Sequence, residues 1–293
     1  MMQPGSVLIS LMFAATNPQL VEACVQRGIS AFSMDAIPRI SRAQKMDVLS
    51  SQANLAGYKA VIIGAAALGK IFPLLMTAAG TIKPSKVVIM GAGVAGLQAI
   101  ATAKRLGAVI EAFDVRPATK EQVESLGARF VEVPVSDEER RQAETAGGYA
   151  REMSEDYQRR QAALIDERAR VADIVITTAL VPGRPAPILL REDTVRSMKH
   201  GAVIVDLAVE QGGNCPLTET DRVVVKHGVT LVGYSNLPAM LAADASALYA
   251  RNMLAFVNLL IDPKSGTLTI NREDEIIAGA LVCADGHVVM PET

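Results

Sequence analysis

Val87-Val88-Ile89-Met90-Gly91-Ala92-Gly93-Val94-Ala95-Gly96 is the stretch on which the reading of this chain turns. Four aliphatic residues suited to a buried strand run straight into a G-x-G-x-x-G pattern, and that pattern passes into the helix-compatible Leu97–Gly107. The glycine spacing alone is common; flanked by a strand and a helix it is the fingerprint of a dinucleotide-binding turn. Gly91 permits the tight turn, Gly93 lets backbone approach a pyrophosphate, and Gly96 lets the helix lie close to the strand. Val94 and Ala95 place the first N–H groups of the helix, and its positive dipole end, at the phosphates. The next strand, Val109–Phe113, ends at Asp114, eighteen residues past Gly96. A carboxylate there accepts both hydroxyls of an adenosine ribose and repels a 2′-phosphate, so Asp114 favours NAD over NADP, and Val115 and Arg116 beside it join the candidate cofactor contacts. Arg116 is the one feature that points the other way.

Outward from this turn, β-branched and aliphatic runs alternate with helical sequence: Val7–Met12, Val87–Met90, Val109–Phe113, Phe130–Val133, Ile174–Thr177, Val203–Leu207 and Thr230–Val232. Such alternation predicts a doubly wound α/β fold, a parallel sheet covered on both faces. Ligands in these sheets sit outside the carboxyl ends of the strands. Two more strand ends are rich in small residues, Thr177–Gly183 and Asp206–Asn214, so Thr178, Ala179, Leu180, Gly213 and Asn214 join the candidate cofactor contacts; plain tight turns are the alternative. Thr81–Ser85 reads as a breaker cluster, and the helical stretch from about Asp47 to Leu68 as a connector between domains. Residues 57–235 are thus the dinucleotide-binding domain, while 1–56 and 236–293, including the helical Ala239–Leu260 and the apolar-alternating Thr267–Val289, form a second α/β domain. From Ser136 to about Val171 the chain is highly charged and passes through Thr145-Ala146-Gly147-Gly148-Tyr149; it reads either as a solvated loop and surface helix or as a flap over the site.

Composition narrows the function. Lys+Arg total 29 against Asp+Glu 31, leaving no field to draw the chain to nucleic acid. Aromatics are only 4%, with no Trp, which suits an aliphatic α/β enzyme. Cys24, Cys215 and Cys283 are far apart and odd in number, and with three histidines they offer no metal-ligand spacing. The apolar runs at 60–82 and 87–103 are interrupted by Lys70, Pro73 and the fingerprint glycines, so direct membrane insertion is not expected.

Several segments together carry a family resemblance: Arg39-Ile40-Ser41-Arg42-Ala43-Gln44, Met46-Asp47, Ser50–Tyr58, Gly91–Gly107 and Thr145–Ala150. The chain resembles the NAD(H)-binding component of proton-translocating nicotinamide nucleotide transhydrogenase, from about Gly5 to its end. The resemblance implies direct hydride transfer from NADH, held here, to NADP⁺ held on a separate component, with a third, membrane-embedded component moving protons. It also implies a homodimer and a cytoplasmic location, peripheral to the inner membrane through partner subunits. Gln44 is similar to the family glutamine that reaches toward the partner's nucleotide. Arg39, Asp47 and Ser50 correspond to residues that orient the nicotinamide, Asp114 to the ribose anchor, and Tyr149 to the tyrosine of a mobile loop. From the residues alone, Arg39, Asp47 and Ser50 read equally as capping and surface pairing. Family members begin with further strand–helix units, so the first domain is expected to be incomplete, with an unpaired strand edge. Two other readings stay open: an amino-acid dehydrogenase similar to alanine dehydrogenase, and an NAD-binding fragment without turnover.

Overall fold

In a computed structural model of the protein, residues 2–133, 155–181 and 184–290 are described. Tyr149 and the glycine-rich stretch around it lie outside them, as do Pro182 and Gly183. The chain divides into two units, Met1–Gln52 with Ala242–Thr293, and Ala53–Leu241.

The second unit is built on a seven-stranded sheet among the described residues. Its strands are β5 (Lys86–Met90), β6 (Val109–Phe113), β7 (Arg129–Phe130), β8 (Ile174–Thr177), β9 (Val203–Asp206), β10 (Val223–Lys226) and β11 (Val229–Val232), in the order β10-β11-β9-β8-β5-β6-β7. All pairings are parallel except β10 with β11. Successive side chains of a strand face opposite ways, and both faces are covered. Val87 and Ile89 pack with Ile110, Ile174, Ile176 and Val205 beneath Ala60 and Val61 of α2 (Val48–Ala67) and Ala99, Ile100 and Ala103 of α3 (Val94–Arg105). Val88 and Met90 face Ile165 and Ala169 of α5 (Glu155–Val171), which follows α4 (Thr119–Ser125), and Val195 of α6 (Glu192–Arg196). Burying each such aliphatic chain contributes about 1.5–3 kcal/mol. At the amino end of β8, buried Asp173 takes Lys70 at 3.0 Å, Lys199 at 2.8 Å and the Lys86 N–H at 2.8 Å, tying the segment after α2, the start of β5 and the lead-in to β9 to one carboxylate.

The expected doubly wound sheet is present, with differences at its margins. Pairing of Phe130–Val133 is limited to Arg129–Phe130, because only Glu111 and Ala112 lie opposite, although the Val131 N–H still reaches the Ala112 carbonyl at 2.9 Å. Val203–Leu207 stops at Asp206, where the side chain turns to backbone N–H groups of its own loop. The expected breaker at Thr81 is instead half of a hairpin, β3 (Leu75–Thr77) and β4 (Gly80–Ile82). Gly80, at φ 133°, and the Thr77 hydroxyl, accepting from the Ala79 N–H at 3.1 Å, close its turn. Strand β10 has no counterpart among the expected strands; it is a sheet edge with exposed Val223 and Val225, so it carries no sustained buried run.

In the first unit a four-stranded sheet has the order β1-β2-β12-β13, with β1 (Val7–Ser10), β2 (Ser30–Ser33), β12 (Leu281–Ala284) and β13 (His287–Val288). The expected Val7–Met12 strand is shorter than read, and β1 stands at the sheet's edge. On one face Phe32 meets Phe256 of α7 (Ala242–Leu260) edge-to-face at 5.4 Å, with Ile276 and Ile277 of α8 (Glu275–Ala280) completing the core. On the other, Ala31, Val282 and Cys283 pack against Val21 and Cys24 of α1 (Pro18–Gln26). Asp274 caps α8 by accepting from the Ile276 N–H at 2.8 Å.

Candidate functional site

The fingerprint folds as its residue types dictate. Gly91 sits at φ 105°, a backbone region that side chains rarely adopt, and a Cβ there would lie 2.4 Å from the Thr178 hydroxyl. At Gly96 the demand is distance: a Cβ would fall 1.8 Å from the Gly91 carbonyl oxygen. Both glycines are therefore required by the protein's own packing. Gly93 is different, since it has an extended backbone and nothing within 4 Å of where a Cβ would stand. It is the N-cap of α3, and no side chain caps that helix. Open space, bare backbone and the positive end of a twelve-residue helix meet at one point. Val94 and Ala95 form the first turn there, with Val94 exposed. A further glycine belongs to this turn and lies outside the fingerprint: Gly57 of α2, where a Cβ would stand 2.1 Å from the Ala95 carbonyl oxygen. A glycine inside a helix costs stability relative to alanine, and that mismatch is the signal the sequence offers for it.

Asp114 lies at the carboxyl end of β6, beside this turn. Its Oδ2 accepts the Ala92 N–H at 2.7 Å and Arg116 Nη2 at 2.9 Å, while Oδ1 accepts the Arg116 backbone N–H at 2.8 Å and Nε at 2.9 Å. Burial pushes the Asp114 carboxyl up, but the Arg116 and Ala92 bonds outweigh it and hold the group below its ordinary value. Val115, between them, is exposed.

Across the switch point of the sheet, between β5 and β8, lie the other two loops. The Thr178 hydroxyl donates to the Gly91 carbonyl at 3.0 Å, joining this side to the fingerprint. Ala179 and Asn214 bond reciprocally, with the Ala179 N–H donating to Asn214 Oδ1 at 3.2 Å and Asn214 Nδ2 donating to the Ala179 carbonyl at 2.9 Å. Asn214 Nδ2 also donates to the Pro187 carbonyl at 2.7 Å. The Asn214 side chain is fully buried and spent on these loops, Gly213 is buried beside it, and Leu180 presents an exposed side chain. Beneath them, buried Asp206 accepts from the Thr177 hydroxyl at 3.1 Å, the Ala208 N–H at 3.0 Å and the Cys215 N–H at 3.1 Å. In the sequence Asp206 is only the start of a small-residue loop; its position at a strand end ahead of Gly212-Gly213 is the clue to a loop anchor.

Arg39, Gln44, Asp47 and Ser50 belong to the first unit. Gln44 is exposed on a 3-10 turn, Ser41–Met46, that is fixed on two sides. Arg42 makes a two-pronged pair with Asp274 at 2.6 and 2.9 Å, and the Lys45 carbonyl accepts from Asn252 Nδ2 at 2.8 Å. Asp47 caps α2, accepting the Ser50 N–H at 2.8 Å and the Ser50 hydroxyl at 2.5 Å. Arg39 is exposed. The structure thus joins Asp47 to Ser50, and separately joins Gly91, Asp114 and Thr178. Among the described residues no cluster of His, Cys, Asp and Glu is placed to hold a metal, and no helix is long and apolar enough to cross a membrane.

Two family descriptions match the chain: "Alanine dehydrogenase/PNT, N-terminal domain" over residues 1–56 and "Alanine dehydrogenase/PNT, C-terminal domain" over residues 60–291. This chain belongs to the alanine dehydrogenase/PNT family. Within that family it is 55% identical over 291 residues to an NAD(P) transhydrogenase alpha-subunit polypeptide of Rhodospirillum rubrum, covering 99% of this chain and 75% of that protein. A transhydrogenase structure from Sinorhizobium meliloti superposes with a TM-score of 0.86 at 47% identity, over 98% of this chain and 76% of that one. An L-alanine dehydrogenase structure gives 0.77 at 27% identity, over 99% and 74%. The family's C-terminal description takes in the whole seven-stranded sheet and also α7, α8 and β12, which belong to the first unit.

Proposed function

We propose that this chain is the NAD(H)-binding component of a proton-translocating transhydrogenase, presenting NADH for direct hydride transfer to NADP⁺ held on a partner component. The observation that carries the reading is the unfilled space over Gly93, at an uncapped helix N-terminus with the Asp114 carboxylate alongside. The 55% identity to a transhydrogenase alpha subunit supports the choice of reaction. The dihydronicotinamide of bound NADH supplies the hydride, so the protein's task is positioning within about 3–3.5 Å of the acceptor. Gly93, Val94 and Ala95 hold the pyrophosphate by backbone N–H groups. Asp114 takes the adenosine ribose. Thr178, Ala179, Leu180 and Gly213, on loops fixed by Asp206 and Asn214, bound the nicotinamide half. Arg39, Asp47 and Ser50 orient the ring, Gln44 reaches toward the partner's nucleotide, and Tyr149 closes over the site, as the resemblance implies. Exposed Leu75, Met76 and Ile82 on the β3–β4 hairpin support self-association as a homodimer. Through its partners the chain works at the cytoplasmic face of the inner membrane.

The test is hydride transfer from NADH to an NADP⁺ analogue on mixing the chain with an NADP(H)-binding transhydrogenase component, with NADH fluorescence titrated in parallel. Transfer that needs both proteins supports the reading. NADH-dependent reduction of pyruvate with ammonium by the chain alone replaces it with the alanine-dehydrogenase reading, and tight NADH binding without either reaction leaves a non-catalytic nucleotide-binding protein.

A further inference from the structure

The carboxylate of Asp114 offers about four acceptor positions, and four donors fill them: the N–H groups of Ala92 and Arg116, and Nε and Nη2 of Arg116. Two of the four are backbone bonds that fix the carboxylate to the fingerprint turn and to its own strand end. The other two come from one side chain, on a planar fork matched to a carboxylate. The Asp114 side chain is 5% exposed and that of Arg116 is 40% exposed, so the arginine approaches from the solvent side and closes the anchor from outside. A ribose diol donates two hydrogen bonds, the same number that the guanidinium gives. Both cannot hold the carboxylate at once.

We propose that Arg116 is a displaceable internal ligand of Asp114, standing where the adenosine ribose of a dinucleotide binds, and that it sets both the affinity for NADH and the tolerance of a 2′-phosphate. The inference rests on Asp114 being the ribose anchor. Binding NADH exchanges the two guanidinium bonds for two hydroxyl bonds; no covalent bond changes. The freed guanidinium remains tethered two residues from Asp114. A 2′-phosphate, which the carboxylate repels, then meets a cation as well. Arg116 therefore lowers affinity for the diol and raises affinity for the phosphate, compressing the difference between NADH and NADPH.

The chemistry makes Arg116→Ala a clean variant, because the Ala92 and Arg116 backbone bonds that orient Asp114 survive it. Removal of a charge-assisted but solvent-screened pair predicts a roughly three- to tenfold lower Kd for NADH and weaker NADPH binding in this variant. Arg116→Lys, a point charge without the fork, gives an intermediate NADH affinity. ADP-ribose shows the same tightening, whereas 2′,3′-dideoxy-ADP, which has no diol to compete, binds wild type and Arg116→Ala alike. A role confined to folding would not separate those two ligands. NADH affinity that is unchanged or weaker in Arg116→Ala overturns the proposal. If the wild type fails to bind NADH, or binds it equally well after Asp114→Asn, the anchor itself is wrong and the nucleotide reading fails with it.

Discussion

At the carboxyl end of β6, Asp114 is held by two backbone N–H groups and by an arginine open to solvent; at the carboxyl end of β9, Asp206 is held by two backbone N–H groups and by a buried threonine. Both carboxylates stand at the carboxyl ends of strands of one sheet; Asp206 collects both its amides from the loop that follows it, while Asp114 takes one from the residue two further on and one from the fingerprint turn. The difference lies in the remaining partner. Arg116 reaches Asp114 from water and can leave, since the side chain regains solvation when it does. Thr177 is fully buried and has nowhere to go. The proposed exchange of a protein contact for a ligand contact therefore falls on the Asp114 half of this sheet end, while the Asp206 half holds the Ala179 and Gly213 loops in one place.

That contrast can be broken at several points. The largest effect is expected at Gly96→Ala, where a methyl group 1.8 Å from the Gly91 oxygen forces strand β5 and helix α3 apart. Urea unfolding should show a loss of at least about 3 kcal/mol, and a change under about 1 kcal/mol would mean that the turn gives more easily than its geometry says. Next comes Asp206→Ala, which strands three buried donors. It should cost about 2–3 kcal/mol and weaken NADH binding only indirectly. Asp114→Asn inverts that pattern, with NADH affinity about thirtyfold weaker and poorer discrimination against NADPH, while stability changes less. Gly93→Ala is the subtler case: about a tenfold rise in Kd for NADH with unchanged melting, because the methyl enters space that the protein itself leaves open.

The smallest expected effect is a pH dependence. Burial raises the Asp114 carboxyl, and the Arg116 and Ala92 bonds bring it below the ordinary value of 3.8. The folded state thus binds this proton less readily than the unfolded chain. Its stabilisation is complete above that value and is lost as the pH falls through the lower folded pKa. Unfolding measured from about pH 6 down to about pH 3 should fall more steeply in the wild type than in Asp114→Asn. Equal slopes would remove Asp114 from the acid response.

The central sheet is legible in the sequence because its inner strands are buried on both faces and must read as continuous aliphatic runs, as Val109–Phe113 and Ile174–Thr177 do. Its edges are less so: Val223–Lys226 alternates with exposed residues and leaves no sustained run, whereas the strand expected at Phe130–Val133 is found with its pairing confined to Arg129–Phe130. The phosphate turn and Asp114 are readable from spacing. Arg116 reads in the sequence as a candidate cofactor contact that counts toward NADP; its grip on Asp114 belongs to a side chain that folds back two residues and leaves no pattern. Asn214 is expected among the cofactor contacts, yet its side chain is committed to Ala179 and Pro187, which only the folded path of two distant loops reveals. The hairpin at Thr81 is obscured by Lys83-Pro84, which ends the second strand rather than preventing it.

In the first unit, Phe32 on β2 stands opposite Leu281 on β12. A ribosome adding about 5–20 residues each second makes the first of these available well before the second. Residues 53–241 are completed as a chain within that interval, whereas until Leu281 follows β2 has only its parallel neighbour β1. Order of synthesis thus favours the nucleotide-binding unit as an early scaffold, with the Gln44 turn, whose clasps Asn252 and Asp274 come later still, set among the last parts of the molecule.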